Sequence, residues 1–106
     1  MNPEISEISL TSIYRPSEKI VSRKIEGEIL IIPIEDGLAD LNDEMFSLNG
    51  TGLAIWEKLN SGSDVETICE NLAIDFNSPV DQIRADVIGF LKMLLKKRLI
   101  FEYRKA

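Results

Sequence analysis

Apolar residues in the first half of the chain follow the pattern of β-strands. Residues 19–25 have an extended pattern that includes Ile20, Val21 and Ile25, and residues 28–34 form an isoleucine-rich run that contains Pro33. Short apolar runs bounded by turn residues are typical of strands, and Gly27 lies between these two. The pattern therefore predicts an antiparallel hairpin with its turn at residues 26–27.

A third short strand is predicted just before the chain becomes helical. Residues 45–48 alternate again, which places Phe46 and Leu48 on one face. The preceding residues 35–44 are acidic and could suggest a calcium-binding loop. The glycine and the final glutamate that such a loop requires are missing, so these residues predict a solvated loop instead. Residues 1–18 have no clear period, so we expect an N-terminal arm that is poorly ordered or loosely docked.

Apolar residues in the second half recur at helical spacing and predict three helices. The starts of the three helices are marked by Asn49, by the capping-box pattern of residues 63–66, and by Ser78 before Pro79. The third helix runs to about Lys97. The predicted apolar stripes are, in order, Gly52, Ile55, Trp56 and Leu59; Val65, Ile68, Cys69, Leu72 and Phe76; and Ile83, Val87, Phe90, Leu91 and Leu94. A three-stranded antiparallel sheet followed by three helices predicts an α+β, winged-helix-like fold.

Composition indicates one globular domain, which we place at residues 19–106. The 106 residues can bury a modest core, and residues 99–103 are either a last short strand or a docked tail. We expect no membrane association, since no apolar run approaches the roughly 20 residues of a bilayer span and the first residues lack a signal-peptide pattern. A single cysteine excludes an internal disulfide and suits the cytoplasm. The net charge of −6 makes nucleic acid a poor partner.

Few residues of this chain could carry catalysis. Histidine, the usual general base and metal ligand near neutral pH, is absent. Cys69 lies on an apolar stripe, where a buried core thiol is expected rather than a nucleophile. Residues 50–52 are too short for a phosphate-binding loop, and close helix packing explains their two glycines better. We therefore expect no enzymatic activity, no cofactor and no metal site.

Two surfaces are candidates for binding. On a helical projection of the third helix, Arg84, Ile88 and Leu95 flank the core stripe, with Lys92 at the margin. They widen the apolar arc to roughly 160°, beyond the ~100° of one-sided packing, so this flank either packs on another element or lines an apolar groove edged by cations. The second surface is the third strand, whose edge is either protected or open to an extended peptide that adds as a further strand.

Several segments, taken in order, resemble the PqqD family. They are residues 21–23, the isoleucine-rich second strand, the block from Leu48 to Trp56, the second helix with Ile68, Leu72 and Phe76, and residues 85–91 with Phe90 and Leu91. The resemblance covers about residues 20–100 and implies the same winged-helix-like fold. It also implies a non-catalytic domain that binds the leader of a ribosomally synthesised precursor peptide as an added strand. In that family the peptide is presented to a modifying enzyme, a radical SAM protein in pyrroloquinoline quinone biosynthesis.

Transferred by position, the resemblance implies a peptide-binding cleft between the third strand and the third helix. Its residues would be Glu44, Met45, Phe46, Ser47 and Leu48 on the strand, and Arg84, Ile88, Leu91, Lys92 and Leu95 on the helix. The expected partners are a leader peptide and a modifying enzyme, with neither nucleic acid nor a membrane. The chain would be a monomer, or a homodimer paired through the open strand edge. The acidic loop at residues 35–44 departs from the family, which has a tight glycine-containing turn there.

Two other functions stay open at the level of the sequence. The second and third helices could form the helix-turn-helix of a winged-helix DNA-binding regulator, although Asp81 and Asp86 in the first turns of the recognition helix oppose phosphate contact. Alternatively, the chain is a small adaptor subunit that packs on a larger protein through the same groove. An adaptor of that kind would have no affinity for short peptides.

Overall fold

A computed structural model describes residues 8–34 and 46–103 of the chain. Their elements, in chain order, are β1 (Ile13–Pro16), β2 (Ile20–Ile25), β3 (Glu28–Pro33), β4 (Phe46–Leu48), α1 (Gly50–Leu59), α2 (Val65–Phe76), α3 (Val80–Lys96) and β5 (Ile100–Tyr103). The predicted α+β class, with a three-stranded antiparallel sheet before three helices, is confirmed. The predicted third strand corresponds to β4.

Strands β2, β3 and β4 form an antiparallel sheet in that order. The predicted hairpin between β2 and β3 is confirmed, and its two turn residues, Glu26 and Gly27, have φ values of 39° and 85°. Two positive φ angles in succession match the twist of a two-residue hairpin, and glycine adopts such an angle without strain. On the buried face Ile31 lies opposite Phe46 and Ile29 lies opposite Leu48, so the predicted facing of β4 is confirmed.

A second sheet, which the sequence analysis did not predict, pairs β1 with β5. It includes residues assigned above to the N-terminal arm, and it makes residues 100–103 a strand rather than a tail. Tyr14 in β1 is only 2% exposed and belongs to the core. Across the sheet, the guanidinium of Arg15 lies 4.5 Å from the ring centroid of Tyr103.

The chain before β1 also caps the start of α2. The N–H groups of Val65 and Glu66 donate to the carbonyl oxygens of Ser12 and Leu10, at 3.0 and 2.9 Å. The first N–H groups of a helix have no partner inside it, so these bonds satisfy two such donors. They tie the N-terminal segment to the helical half of the domain.

The predicted helix caps were placed correctly only in part. At α2 the cap is Asp64 rather than Ser63, and its carboxylate accepts from Thr67 N at 2.9 Å. Asn49 does precede α1, but its side chain makes no capping hydrogen bond. Pro79 holds the N-cap position of α3, where Ser78 was predicted. The caps predicted at Ser63 and Ser78 each differ by one residue from those observed, which is the usual scatter of helix boundaries.

The three helices bury most of the stripes that their spacing predicted, but Gly52 and Phe90 are only partly buried and Phe76 is exposed. Phe76 is 41% exposed, because it lies in the last turn of α2, beyond the core. The close approach predicted for Gly52 is confirmed: a Cβ atom there would lie 3.3 Å from Cε1 of Phe90. No helix in the described ranges is long and apolar enough to cross a bilayer. The buried core consists of Tyr14, Ile29, Ile31, Leu48, Ile55, Trp56, Leu59, Val65, Ile68, Cys69, Leu72, Ile83, Val87, Leu91, Leu94, Leu99 and Ile100.

Candidate functional site

Helix α3 presents two different flanks on either side of its buried stripe. Arg84 marks the first flank, since its Nε donates to Glu66 Oε1 at 3.1 Å and its Nη2 to Glu66 Oε2 at 2.7 Å. Its Nη1 also donates to Asp81 at 2.7 Å. Because Glu66 belongs to α2, this flank of α3 faces α2.

The helix residues predicted to bind a peptide lie on that first flank or in the core. Ile88 follows Arg84 by one helical turn and is half-buried, while Lys92 and Leu95 share the flank on a helical projection. Leu91 is 0% exposed, so it supports the core and is closed to a ligand. Arg84 therefore contacts α2 in this structure, while peptide binding by Ile88, Lys92 and Leu95 stays a prediction.

The second flank of α3 is the one that meets β4. The ring of Phe90 contacts Gly52 at the start of α1, and Cδ2 of Leu48 lies 3.8 Å from the position of a Gly52 Cβ atom. Seven residues further along α3, the Nζ of Lys97 lies 5.3 Å from the ring centroid of Phe46. Residues seven apart share a helix face, so α3 runs beside β4 with Phe90 near Leu48 and Lys97 near Phe46.

Two more residues complete this surface at helical spacing. Asp86 precedes Phe90 by four residues and is exposed, and Met93 follows it by three residues and is 37% exposed. We call the surface formed by Phe46, Leu48, Asp86, Phe90, Met93 and Lys97 the β4–α3 cleft. The helix residues of this set were not predicted as a site from sequence, because Phe90 was assigned to the core and the other three to no site.

The predicted strand residues divide between the two faces of the sheet. Phe46 is half-buried and Leu48 is 8% exposed, both on the side that faces α3. Ser47 points to the opposite face, where its hydroxyl donates to Glu28 Oε1 at 2.7 Å. Glu44 and Met45, together with the rest of the acidic loop, lie outside the described residues.

The edge of β4 that points away from β3 is open within residues 8–34 and 46–103, since no described strand pairs with it. An edge strand carries a row of N–H and C=O groups directed outward. These groups lie beside the apolar side chains of the cleft. The combination can hold an extended chain by backbone pairing and accept its side chains at alternate positions.

The surface between α2 and α3 is different in character. It holds a depression of about 550 Å³ lined by Glu66, Glu70, Ala73, Ile74, Asn77, Ser78, Val80 and Arg84. The hydrogen bonds from Arg84 lower the pKa of the Glu66 carboxyl. Arg84 is the one cation among the residues that line this depression, and it is already paired with two carboxylates. No cation of the lining is therefore left to pair with an acidic ligand.

The described part of the chain contains acidic side chains and one cysteine. It contains no group of three or more histidine, cysteine or acidic side chains placed to hold a metal ion. Cys69 is buried as predicted, and burial raises the pKa of its thiol. A raised pKa keeps the sulfur protonated and therefore weakly nucleophilic.

Comparison with known proteins places this geometry in context. The family model described as Coenzyme PQQ synthesis protein D (PqqD) matches residues 28–100. Among solved structures, TbiB1 in complex with the TbiA(beta) leader peptide has a TM-score of 0.72 and 23% identity, over 86% of this chain and 99% of that chain. The PqqD truncation of Methylobacterium extorquens PqqCD, described as a functional, stand-alone recognition element for ribosomally synthesised and post-translationally modified peptides, has a TM-score of 0.71 and 20% identity. That match covers 93% of this chain and 99% of the other. At these identities the two structures establish similarity of fold, and no curated protein sequence matches the chain.

Proposed function

The chain belongs to the PqqD family, and on that premise we propose that it is a non-catalytic peptide-recognition module. It binds the leader of a ribosomally synthesised precursor peptide and presents that peptide to a modifying enzyme. The radical SAM class of enzyme, which the family resemblance implies, is part of the same proposal.

One observation carries the proposal: the open edge of β4 runs beside the Phe90 and Lys97 face of α3. A leader in extended conformation would add to β4 as a fourth strand of the sheet. Its inward side chains would contact Phe90 and Met93, while backbone pairing would supply much of the affinity. The TbiB1 structure supports the binding of a leader, since a protein of similar fold is found there in complex with a leader peptide.

The other edge of the same sheet is a poorer candidate. β2 is also an edge strand, but five of its six residues are exposed. The charged side chain of Lys24 pairs with Glu57 at 2.7 Å on the face toward α1. A strand added at β2 would therefore gain little apolar contact, whereas one added at β4 would bury side chains against α3.

The structure also argues against DNA binding by α3. Its first turns carry Asp81 and Asp86, and their one cation, Arg84, is held by Glu66 and Asp81. A recognition helix needs uncommitted cations to contact phosphate groups. A small adaptor subunit stays an alternative, and short peptides separate it from the leading proposal.

The test uses short peptides selected from a phage-displayed random library with the wild-type protein. A synthetic, fluorescently labelled copy of an enriched peptide is then titrated with the wild type and with two matched variants, Phe90→Ala and Ile88→Ala. Both residues are half-buried on α3, but they lie on opposite flanks. Circular dichroism confirms that each variant is folded.

We expect Phe90→Ala to weaken binding by about tenfold or more, equivalent to ~1.4 kcal/mol. Ile88→Ala should change it by no more than about twofold, because that side chain lies outside the cleft. Failure to enrich any peptide would contradict a peptide-recognition function and favour the adaptor. Equal losses in both variants would contradict the assignment of the β4–α3 cleft.

A further inference from the structure

The β4–α3 cleft carries opposite charges at its two ends. Lys97 lies at the end formed by Phe46, and Asp86 lies one turn before Phe90, toward the end formed by Leu48. The eleven residues that separate them along α3 correspond to about 16 Å. An extended peptide covers that distance with about five residues.

Lys97 is available to a ligand in a way that the ion-paired cations of the domain are not. Arg84, Lys24 and Lys58 each form an ion pair with a carboxylate. Lys97 is exposed, and no carboxylate of the described residues forms an ion pair with it; its ammonium lies over the Phe46 ring instead. A cation held above an aromatic ring is positioned without being neutralised.

A neighbouring charge strengthens the positive end of the cleft. Arg98 follows Lys97 at the end of α3 and is exposed. The end of the helix itself contributes roughly half a negative charge, which the two cations exceed. Among the described residues, the charges at the end of α3 beside Phe46 are therefore positive on balance, while Asp86 places a negative charge toward the opposite end.

We propose that the cleft selects its peptide by charge as well as by apolar contact. The ligand places an Asp or Glu side chain beside Lys97 and an apolar side chain against Phe90 and Met93, and it carries no acidic residue opposite Asp86. This inference rests on the proposed function and names the class of leader that the site takes, namely a short apolar segment with an acidic residue toward one end.

The apolar contact and the charged contact contribute differently to peptide binding. Apolar contact with Phe90 and Met93 has little directional preference, so by itself it would accept an extended peptide in several registers. An acidic side chain paired with Lys97 fixes the register, since a slip by one residue would turn that side chain to the other face of the added strand. Charge at this position therefore contributes more to selectivity than to affinity.

The experiment repeats the peptide selection on three proteins, the wild type, Lys97→Glu and Lys96→Glu. The two variants make the same change in net charge at the same end of α3. Lys96, however, lies about 100° around the helix from Lys97, on the side away from the cleft. A peptide enriched on the wild type is synthesised in two forms, as selected and with its acidic residue replaced by lysine, and each is titrated with all three proteins.

We expect the wild type to enrich peptides with an acidic residue near an apolar one. Lys97→Glu should bind the selected peptide about tenfold more weakly and should recover affinity for the lysine form, while Lys96→Glu stays within about threefold of the wild type. Equal losses in the two variants, or selected peptides without acidic residues, would overturn the charge selection and leave peptide binding intact. If none of the three proteins enriched any peptide, both the inference and the proposed function would fall.

Discussion

The guanidinium of Arg84 donates two hydrogen bonds to the carboxylate of Glu66, at 3.1 and 2.7 Å, and this pair turns one flank of α3 toward α2. The opposite flank, with Phe90 and Lys97, is thereby left to face β4. Arg84, which the sequence suggested as a peptide-binding residue, thus connects two helices of the domain. The positions of the two flanks decide which side chains a peptide added to β4 would meet.

The first prediction concerns the role of Arg84. Arg84→Met should lower the urea midpoint slightly, because the ion pair with Glu66 is partly exposed and solvent screens it. It should leave the affinity for a selected peptide unchanged. Lys24→Met, which removes the more exposed pair with Glu57, is the matched control and should have an even smaller effect on stability. Loss of peptide binding in Arg84→Met would indicate that Arg84 is part of the peptide-binding site.

Stability should fall in acid because of two carboxyl groups at the start of α2. Hydrogen bonds from Arg84 lower the pKa of Glu66, and those from Thr67 lower the pKa of Asp64. A lowered pKa in the folded state stabilises the protein above the unfolded value, near 4, and that stability is lost as the pH falls through the folded value. The urea midpoint should therefore hold between about pH 7 and 5 and decline below about pH 4.

The variant Glu66→Gln isolates one of these two groups. It lacks the carboxyl that titrates beside Arg84, so the difference in stability between the wild type and the variant should shrink as the pH falls from neutrality to about 3. A difference that stayed constant over that range would show that the titration of Glu66 does not contribute to acid sensitivity.

A third prediction tests whether the second sheet belongs to the folding unit. Tyr14 is buried in the core at 2% exposure, so Tyr14→Ala should reduce the free energy of unfolding by roughly 3–5 kcal/mol. Tyr103→Ala, in the paired strand, truncates an exposed ring and should cost less than about 1 kcal/mol. Similar values for the two variants in urea denaturation would contradict the burial of β1.

Two glycines should respond in opposite directions to substitution by alanine. Gly89 lies inside α3, and a Cβ atom added there would meet no side chain or neighbouring element within 4 Å, so Gly89→Ala should stabilise the domain by about 0.5–1 kcal/mol. Gly27 has a φ of 85° in the β2–β3 turn, and Gly27→Ala should destabilise by about 1 kcal/mol or more. Thermal unfolding of both variants measures the signs, and a destabilising Gly89→Ala would indicate a contact at that position.

Local patterns in the sequence predicted the parts of the fold that depend on near neighbours. The Glu26-Gly27 turn fixed the β2–β3 hairpin, and the 3.6-residue period located the buried faces of the three helices. The β1–β5 sheet escaped prediction because its strands lie at opposite ends of the chain and each is four residues long. Pairing at that separation leaves no periodic signal in either segment.

The candidate site was likewise predicted only in the features that depend on near neighbours in the sequence. Helical geometry predicted that apolar residues extend beyond the core stripe of α3, and the alternation of residues 46–48 correctly placed Phe46 and Leu48 on one face. Periodicity on one helix cannot decide which of its flanks meets β4, because that depends on where α2 packs. The Arg84–Glu66 pair turns one flank toward α2, and the contact of Lys97 with Phe46 brings the other flank to β4; both join residues on different elements.

The central claim, that a leader adds as a strand to β4, is tested most directly by amide hydrogen exchange. Exchange would be followed by NMR for the protein alone and saturated with a peptide selected from the displayed library. Strand addition predicts that the β4 amides pointing away from β3 exchange at least about tenfold more slowly in the complex, with shifts at Phe90, Met93 and Lys97 and none at Arg84. Protection that appeared at β2 or between α2 and α3, with β4 unchanged, would contradict it.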